Sequence, residues 1–254
     1  MAVDADTVAS ALATTYEHVL KAVPEGWIRR RGGVMAGVTR VALARLNGVW
    51  PESAEPDSVV ISQLLDEVAS EGVPYSLQLR PGASARSREL AARRDMLPGE
   101  PVPLMLLEDA HGIGAFIDVD GLVVRELLPD EADAHAMVVG GGSALLIGLF
   151  REFITPAVLA LPGVRCYVGE VDGQPVTTGM GIRLGPSVGV FGIATLPARR
   201  GLGYGAAVTA RAVADGLTAG AQWSWLQSSA AGHGVYVRLG FTDIESWDFW
   251  TTAV

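Results

Sequence analysis

A single cysteine, Cys166, stands in the chain, so no internal disulfide can form. That excludes a disulfide-stapled scaffold and agrees with a reducing compartment. In Val164-Arg165-Cys166-Tyr167-Val168 it reads as a buried strand thiol rather than a nucleophile. Long apolar runs are also missing: despite a mean hydropathy of +0.31, a stretch such as 144–150 falls far short of the roughly 20 residues that span a bilayer. The first residues include Asp4 and Asp6 and lack the basic start, apolar stretch and cleavage site of a secretory signal. A cytoplasmic, soluble protein with no membrane partner is expected. Positive charge is scarce, with 19 Lys and Arg against 28 Asp and Glu and a formal net charge of −9. This opposes a general nucleic-acid surface, and the clusters Arg29-Arg30-Arg31 and Arg93-Arg94 read as solvated faces. Four histidines and one cysteine show no ligand spacing, and Asp118-Val119-Asp120-Gly121 lacks the other positions of a calcium loop, so no metal is expected.

Apolar residues are plentiful, at 49% of 254, which excludes the disordered class and leaves room for one large or two small folding units. The first half alternates α and β. Apolar spacing predicts helices over 4–23, 58–70 and 85–94, the second burying Val59, Ile61, Leu64, Leu65 and Val68. Strands are expected over 37–46, 75–79 and 102–107, with a turn at Asn47-Gly48 and a connector holding one strand over 112–121. In the second half, strand 122–127 leads to helices 131–137 and 143–153, parted by Gly140-Gly141-Gly142. Strand 165–171 then turns back through Asp172-Gly173 into 176–183. Strand 188–196, helix 205–219, strand 222–227, a short helix over 233–239 and strand 241–250 follow. A hairpin feeding a β-α-β unit implies an α/β class with a mixed sheet and helices on its faces.

The sharpest local signal is Arg199-Arg200-Gly201-Leu202-Gly203-Tyr204-Gly205-Ala206, between a strand and a helix. Glycines let the backbone bend and approach a ligand, while a helix start offers free N–H groups and a positive dipole end. That is a phosphate cradle. A P-loop would need Gly-Lys-Ser/Thr, absent here. The dinucleotide fingerprint G-x-G-x-x-A fits Gly201, Gly203 and Ala206, but expects an acidic residue after the next strand, where Ser228 and Ser229 stand.

Arg200, Gly203 and Gly205 also fit Arg/Gln-x-x-Gly-x-Gly/Ala, the acyl-CoA signature of the Gcn5-related N-acetyltransferase (GNAT) superfamily. Val235-Tyr236-Val237-Arg238-Leu239-Gly240-Phe241 resembles that family's Leu-Tyr-x-x-Leu-Gly-Phe segment, at the distance the family expects. The resemblance, over 122–254, implies a GNAT fold in the C-terminal half. It implies that backbone groups of Ile193, Ala194, Thr195 and Leu196 meet the pantetheine arm of acetyl-CoA, and that the amides of Arg200, Gly201, Leu202, Gly203, Tyr204, Gly205 and Ala206 hold its pyrophosphate. Tyr236 takes the place of the proton donor to the departing thiolate. Ser229 replaces the asparagine many members carry seven residues before that tyrosine, and can still hydrogen-bond. The strand 188–196 contains no Asp, Glu or His, so no general base is identified. Glu131, His135 and Glu152, on the helices that in this family face the acceptor, read as solvated helix residues, as does His233.

The expected domains are 1–115, a smaller α/β half that resembles the degenerate N-terminal half of tandem members or is a generic α/β unit, and 116–254, the acyl-CoA-binding half. Three functions stay open: N-acetyltransfer from acetyl-CoA to a small-molecule or peptide amine, a non-catalytic CoA sensor, and a nucleotide-dependent oxidoreductase. The acidic balance favours a cationic amine. A homodimer is the first assembly to consider, being the commonest closed oligomer.

Overall fold

The structure, a computed structural model, describes residues 3–252; the outermost ends of both expected domains, 1–2 and 253–254, lie outside them. The fold is mixed α/β, in two compact units: Met1–Leu104 with Asp243–Val254, and Met105–Thr242.

In the first unit α1 (Ala5–Leu20) starts on Asp4, whose carboxylate accepts from Thr7 N–H at 2.8 Å. A hairpin follows, β1 (Trp27–Arg31) and β2 (Val34–Val38), joined at Gly32-Gly33. The strand expected over 37–46 is therefore displaced: the ladder ends at Val38, and 44–46 form a 3-10 turn. Asn47-Gly48 is not a hairpin turn either. Asn47 is fully buried, its Oδ1 accepting from Thr39 N–H at 2.8 Å and its Nδ2 donating to Val41 O at 2.8 Å and Pro74 O at 2.9 Å. Those bonds tie the loop to β3 (Gly48–Pro51), which starts at once. Then come α2 (Ser58–Ala69), β4 (Ser76–Leu79), α3 (Ala85–Ala92), the two-residue β5 (Leu97–Pro98) and β6 (Val102–Leu107). The apolar face of α2, through Ile61, Leu64, Leu65 and Val68, packs with Val34, Val49 and Leu77 in one core. Val59, expected in that core, is 48% exposed, because it falls on the opposite side of the helix.

The second unit begins at Met105, within β6, and then forms a 3-10 turn at Ile113–Phe116 where a strand was expected. β7 (Val123–Glu126), α4 (Ala132–Val139), α5 (Ala144–Phe153) and a short α6 (Pro156–Leu159) precede the sheet strands β8 (Val164–Val171), β9 (Gln174–Leu184) and β10 (Ser187–Thr195). Helix α7 (Tyr204–Thr218), β11 (Trp223–Gln227) and α8 (Ala230–Arg238) follow. The strands lie in the order β7-β8-β9-β10-β11, antiparallel except for the parallel pair β10 and β11. Successive strand residues point to opposite faces. On β8, Tyr167 packs with Val208 and Ala212 of α7, whereas its neighbour Cys166 meets His135 of α4. The two helices thus cover opposite faces of this sheet.

The last strand, β12 (Thr242–Thr251), pairs antiparallel with β4 and β5 and so completes the first unit's sheet. Arg80, 1% exposed, fastens it: its guanidinium donates to both carboxylate oxygens of Glu245, at 2.9 and 2.7 Å, and meets Asp6 at 2.7 Å.

Candidate active site

At the C-terminal end of β10 the second unit opens. The parallel register with β11 runs from Ser187 opposite Trp223 to Val190 opposite Leu226 and stops there, while β10 continues to Thr195. On its other edge β10 stays paired with β9, but the register slips between Phe191 and Ala194. Gly192 sits in this bulge with φ of +59°, in the region glycine alone enters cheaply. The β10 edge facing β11 therefore carries a stretch of backbone without a neighbouring strand.

The loop after β10 runs through a 3-10 turn at Pro197–Arg199 to Gly203, which caps α7 with φ of +83° and no side-chain hydrogen bond. Ala207 N–H makes the first intrahelical bond, back to Gly203 O at 3.0 Å. The amides of Tyr204, Gly205 and Ala206 precede it without a cap, so the positive end of a 15-residue helix faces solvent.

A cleft of about 410 Å³ joins these features. Of the residues expected at the site, Ile193, Ala194, Thr195, Arg200, Gly201, Gly203, Tyr204, Gly205, Ala206, Ser229 and Tyr236 line it. Leu196 and Leu202 do not: Leu196 N–H is engaged by Val176 O at 2.9 Å, and Leu202 points outward, 52% exposed. Ser229 Oγ also caps α8, accepting from Gly232 N–H at 3.2 Å, and keeps its own hydrogen to donate. The cleft adds Val138, Val139 and Gly141 from the end of α4, and the guanidinium-bearing Arg199 and Arg238. Among the described residues no carboxylate lies within ion-pair distance of Arg199, Arg200 or Arg238. Both of the additional arginines stood inside the two motifs, but only the fold shows that they face one cleft.

Tyr236 lies on α8, its ring edge-on to Phe241 at 6.1 Å and laid against Gly232, where a Cβ would come within 3.1 Å of Tyr236 Cε2. Burial pushes its phenol up to about 12, so it carries its proton at neutral pH. That suits a proton donor.

Three side chains read as solvated helix residues differ among themselves. Glu131 pairs with Arg125 and caps Leu128 N–H at 2.8 Å, and Glu152 is exposed. His135 is not solvated as expected: it is 1% exposed, because the apolar side of α4 that carries it packs onto the sheet. Its Nδ1 lies 2.7 Å from Thr178 Oγ1 and 3.3 Å from Cys166 Sγ, and burial lowers its pKa to about 4. Cys166 is buried as expected, its thiol pushed up to about 12 by the same cause.

A second pocket, of about 230 Å³, lies under Arg165, Tyr167, Arg183 and Asp215. Its two carboxylates are already spoken for: Asp215 accepts from Tyr167 O–H at 3.0 Å and pairs with Arg165 and Arg211, and Glu126 pairs with Arg165. A ligand there would displace internal bonds, whereas the cleft offers groups that await one.

Comparison with known proteins agrees on the fold. A Gcn5-related N-acetyltransferase from Kribbella flavida shares it with a TM-score of 0.65 at 17% identity, covering 95% of both chains. A conserved protein of unknown function from Staphylococcus epidermidis does so with a TM-score of 0.66 at 12% identity, covering 90% of this chain and 94% of its own. A tandem GNAT protein from the clavulanic acid biosynthesis pathway matches at 0.59 and 12% identity, over 99% of this chain and 96% of its own. No curated protein matches the sequence. The family model of the acetyltransferase (GNAT) family matches residues 143–241, a span that contains the bulged strand, the uncapped helix and Tyr236. Residues 143–241 therefore form a domain of the acetyltransferase (GNAT) family, in a chain that shares its fold along almost its whole length with a tandem protein of that family.

Proposed function

We propose that the chain transfers the acetyl group of acetyl-CoA to an amine, the acceptor being a small molecule or a peptide. The observation that carries this reading is the uncapped N-terminus of α7 at Gly203, flanked by Arg199 and Arg200, which make no ion pair among the described residues. A dianionic pyrophosphate supplies what those groups lack: acceptors for the amides of Tyr204 to Ala206 and countercharge for the arginines. The unpaired edge of β10 from Phe191 to Thr195 offers backbone donors and acceptors to the amide-bearing pantetheine arm. Bound there, acetyl-CoA supplies the activated acyl group. Arg199, Arg200 and the helix start orient the donor, and Tyr236, protonated at neutral pH, gives its hydrogen to the leaving sulfur.

A second reading, a CoA-binding sensor, has one observation in its favour: among the described residues no Asp, Glu or His lines the cleft. One assay separates the two. Thiol release from acetyl-CoA is followed with the purified protein against a panel of amines, amino acids and peptides, with Tyr236→Phe alongside. Acetyl transfer is expected on at least one acceptor, with kcat about 100-fold lower in the variant and KM for acetyl-CoA little changed. Tight CoA binding with no turnover would replace transfer by the sensor reading, and absence of CoA binding would overturn both.

A further inference from the structure

An amine must lose a proton on acylation, yet among the described residues no Asp, Glu or His lines the cleft. His135 lies one helical turn before the cleft-lining Val138 and Val139, and its ring abuts the bulge of β10. A Cβ on Gly192 would fall 3.2 Å from His135 Cε1 and 3.3 Å from Nε2, so the imidazole occupies the side-chain space that this glycine leaves open. Gly192 directly precedes Ile193, Ala194 and Thr195 of the cleft wall.

Two contacts at Nδ1 bear on the ring's tautomer: Cys166 Sγ at 3.3 Å can donate to it or accept from it, and Thr178 Oγ1 decides between the two. Thr178 Oγ1 donates its single hydrogen to Tyr167 O at 2.8 Å, so toward His135 Nδ1, 2.7 Å away, it can only accept. Nδ1 therefore bears the hydrogen, and Nε2, turned to Gly192, is left with a bare lone pair. The groups facing the ring are Cys166 from β8, Thr178 and Met180 from β9 and Gly192 from β10. Burial alone sets its pKa, with no charged neighbour contributing, and the lone pair is available throughout the neutral range.

We propose that His135 Nε2 takes the proton of the acceptor amine at the bulge of β10; this rests on the acyl-transfer reading above. The amine nitrogen bonds to the acyl carbon as the carbon–sulfur bond breaks, its electron pair leaving on sulfur. The amine proton goes to Nε2, and the Tyr236 hydroxyl proton goes to sulfur. Both side chains return to their starting forms by exchange with water. The Thr178 hydroxyl and Tyr167 carbonyl hold the ring in the tautomer this requires.

Two measurements test the assignment. Nitrogen-15 NMR of the labelled histidines, assigned with His135→Gln, is expected to show the His135 hydrogen on Nδ1 at pH 7, with the bare Nε2 resonance shifting when CoA is added. A hydrogen on Nε2 overturns the proposal whether or not the protein turns over. In the acetyl-transfer assay His135→Gln is expected to lower kcat about 100-fold with KM for acetyl-CoA held within about twofold, and His135→Ala is expected to regain part of the rate with added imidazole. A packing role predicts no such rescue. If the wild-type protein transfers acetyl and His135→Gln does so equally fast, this inference alone falls. If the wild-type protein transfers to no acceptor, the acyl-transfer reading falls and takes this one with it.

Discussion

The two units differ at one helix start and in the pairing of the arginines beside it, although α5, α6 and α8 of the second unit are capped by Ser143, Thr155 and Ser229. In the first, each helix start is closed by its own side chain: Asp4 on α1, Asp57 on α2 and Ser84 on α3. Arg29 and Arg31 pair with Glu67, Arg30 with Glu17 and Glu52, Arg94 with Asp66, and the buried Arg80 with Glu245 and Asp6. In the second, α7 starts uncapped on Gly203, three arginines around the cleft have no carboxylate partner among the described residues, and buried His135 turns a bare nitrogen to a glycine bulge. Unmet donors and acceptors cost stability, and a fold keeps them where a ligand completes them. Among the described residues of the first unit every α-helix start carries a side-chain cap, and its unmet donors are the buried indole N–H groups of Trp50 and Trp250.

Breaking the closed unit is expected to have the largest effect. Arg80→Ala leaves Glu245 of β12, whose side chain is only 14% exposed, without its cation. A loss of about 3–5 kcal/mol is expected in urea unfolding, most of it recovered when Glu245 is also made apolar. A loss under about 1 kcal/mol would mean that β12 is held by its ladder alone.

In the open unit, acid provides the next test. His135 has a folded pKa of about 4 against 6.5 when solvated, so between these values the unfolded chain holds a proton that the folded chain refuses. Stability from this group is complete above about 6.5 and is lost as pH falls toward 4, by about 3 kcal/mol in all. His135→Gln should flatten that limb of the stability curve. An unchanged acid slope would show that the ring is wetter than its 1% exposure implies.

What the sequence could disclose was local. The run 199–206 and the segment 235–241 carry their meaning in consecutive backbone positions, and the structure gathers most of those residues in one cleft. The hairpin at Asp172-Gly173 is a two-residue signal of the same kind. Asn47-Gly48 shows where local reasoning stops, because the amide that favours a turn was instead buried against Thr39, Val41 and Pro74. His135 was misread for a similar reason. Its surroundings come from β8, β9 and β10, and no spacing along α4 foretells that a bulge would put a glycine opposite the ring. Likewise strand 241–250 was legible as a strand, but its pairing with β4 was not.

The smallest effect comes from closing the open helix in the manner of the first unit. Gly203→Asp gives α7 a carboxylate where α1 has Asp4 and α2 has Asp57. Aspartate tolerates the left-handed backbone better than most residues, so the fold should survive a strain of about 1–2 kcal/mol. The new charge competes for the amides of Tyr204 to Ala206 and offsets one of the arginines. CoA affinity by calorimetry should fall about 30-fold, or about 2 kcal/mol. Gly203→Asn, equally tolerant of the backbone but neutral, should lose distinctly less, which separates charge from strain. Arg31→Ala, at an arginine already paired with Glu67, should leave CoA affinity unchanged and cost under about 1 kcal/mol of stability. Equal losses from aspartate and asparagine would trace the effect to backbone geometry. No loss from either would remove the open helix start from the anion site, and with it the contrast between the two units.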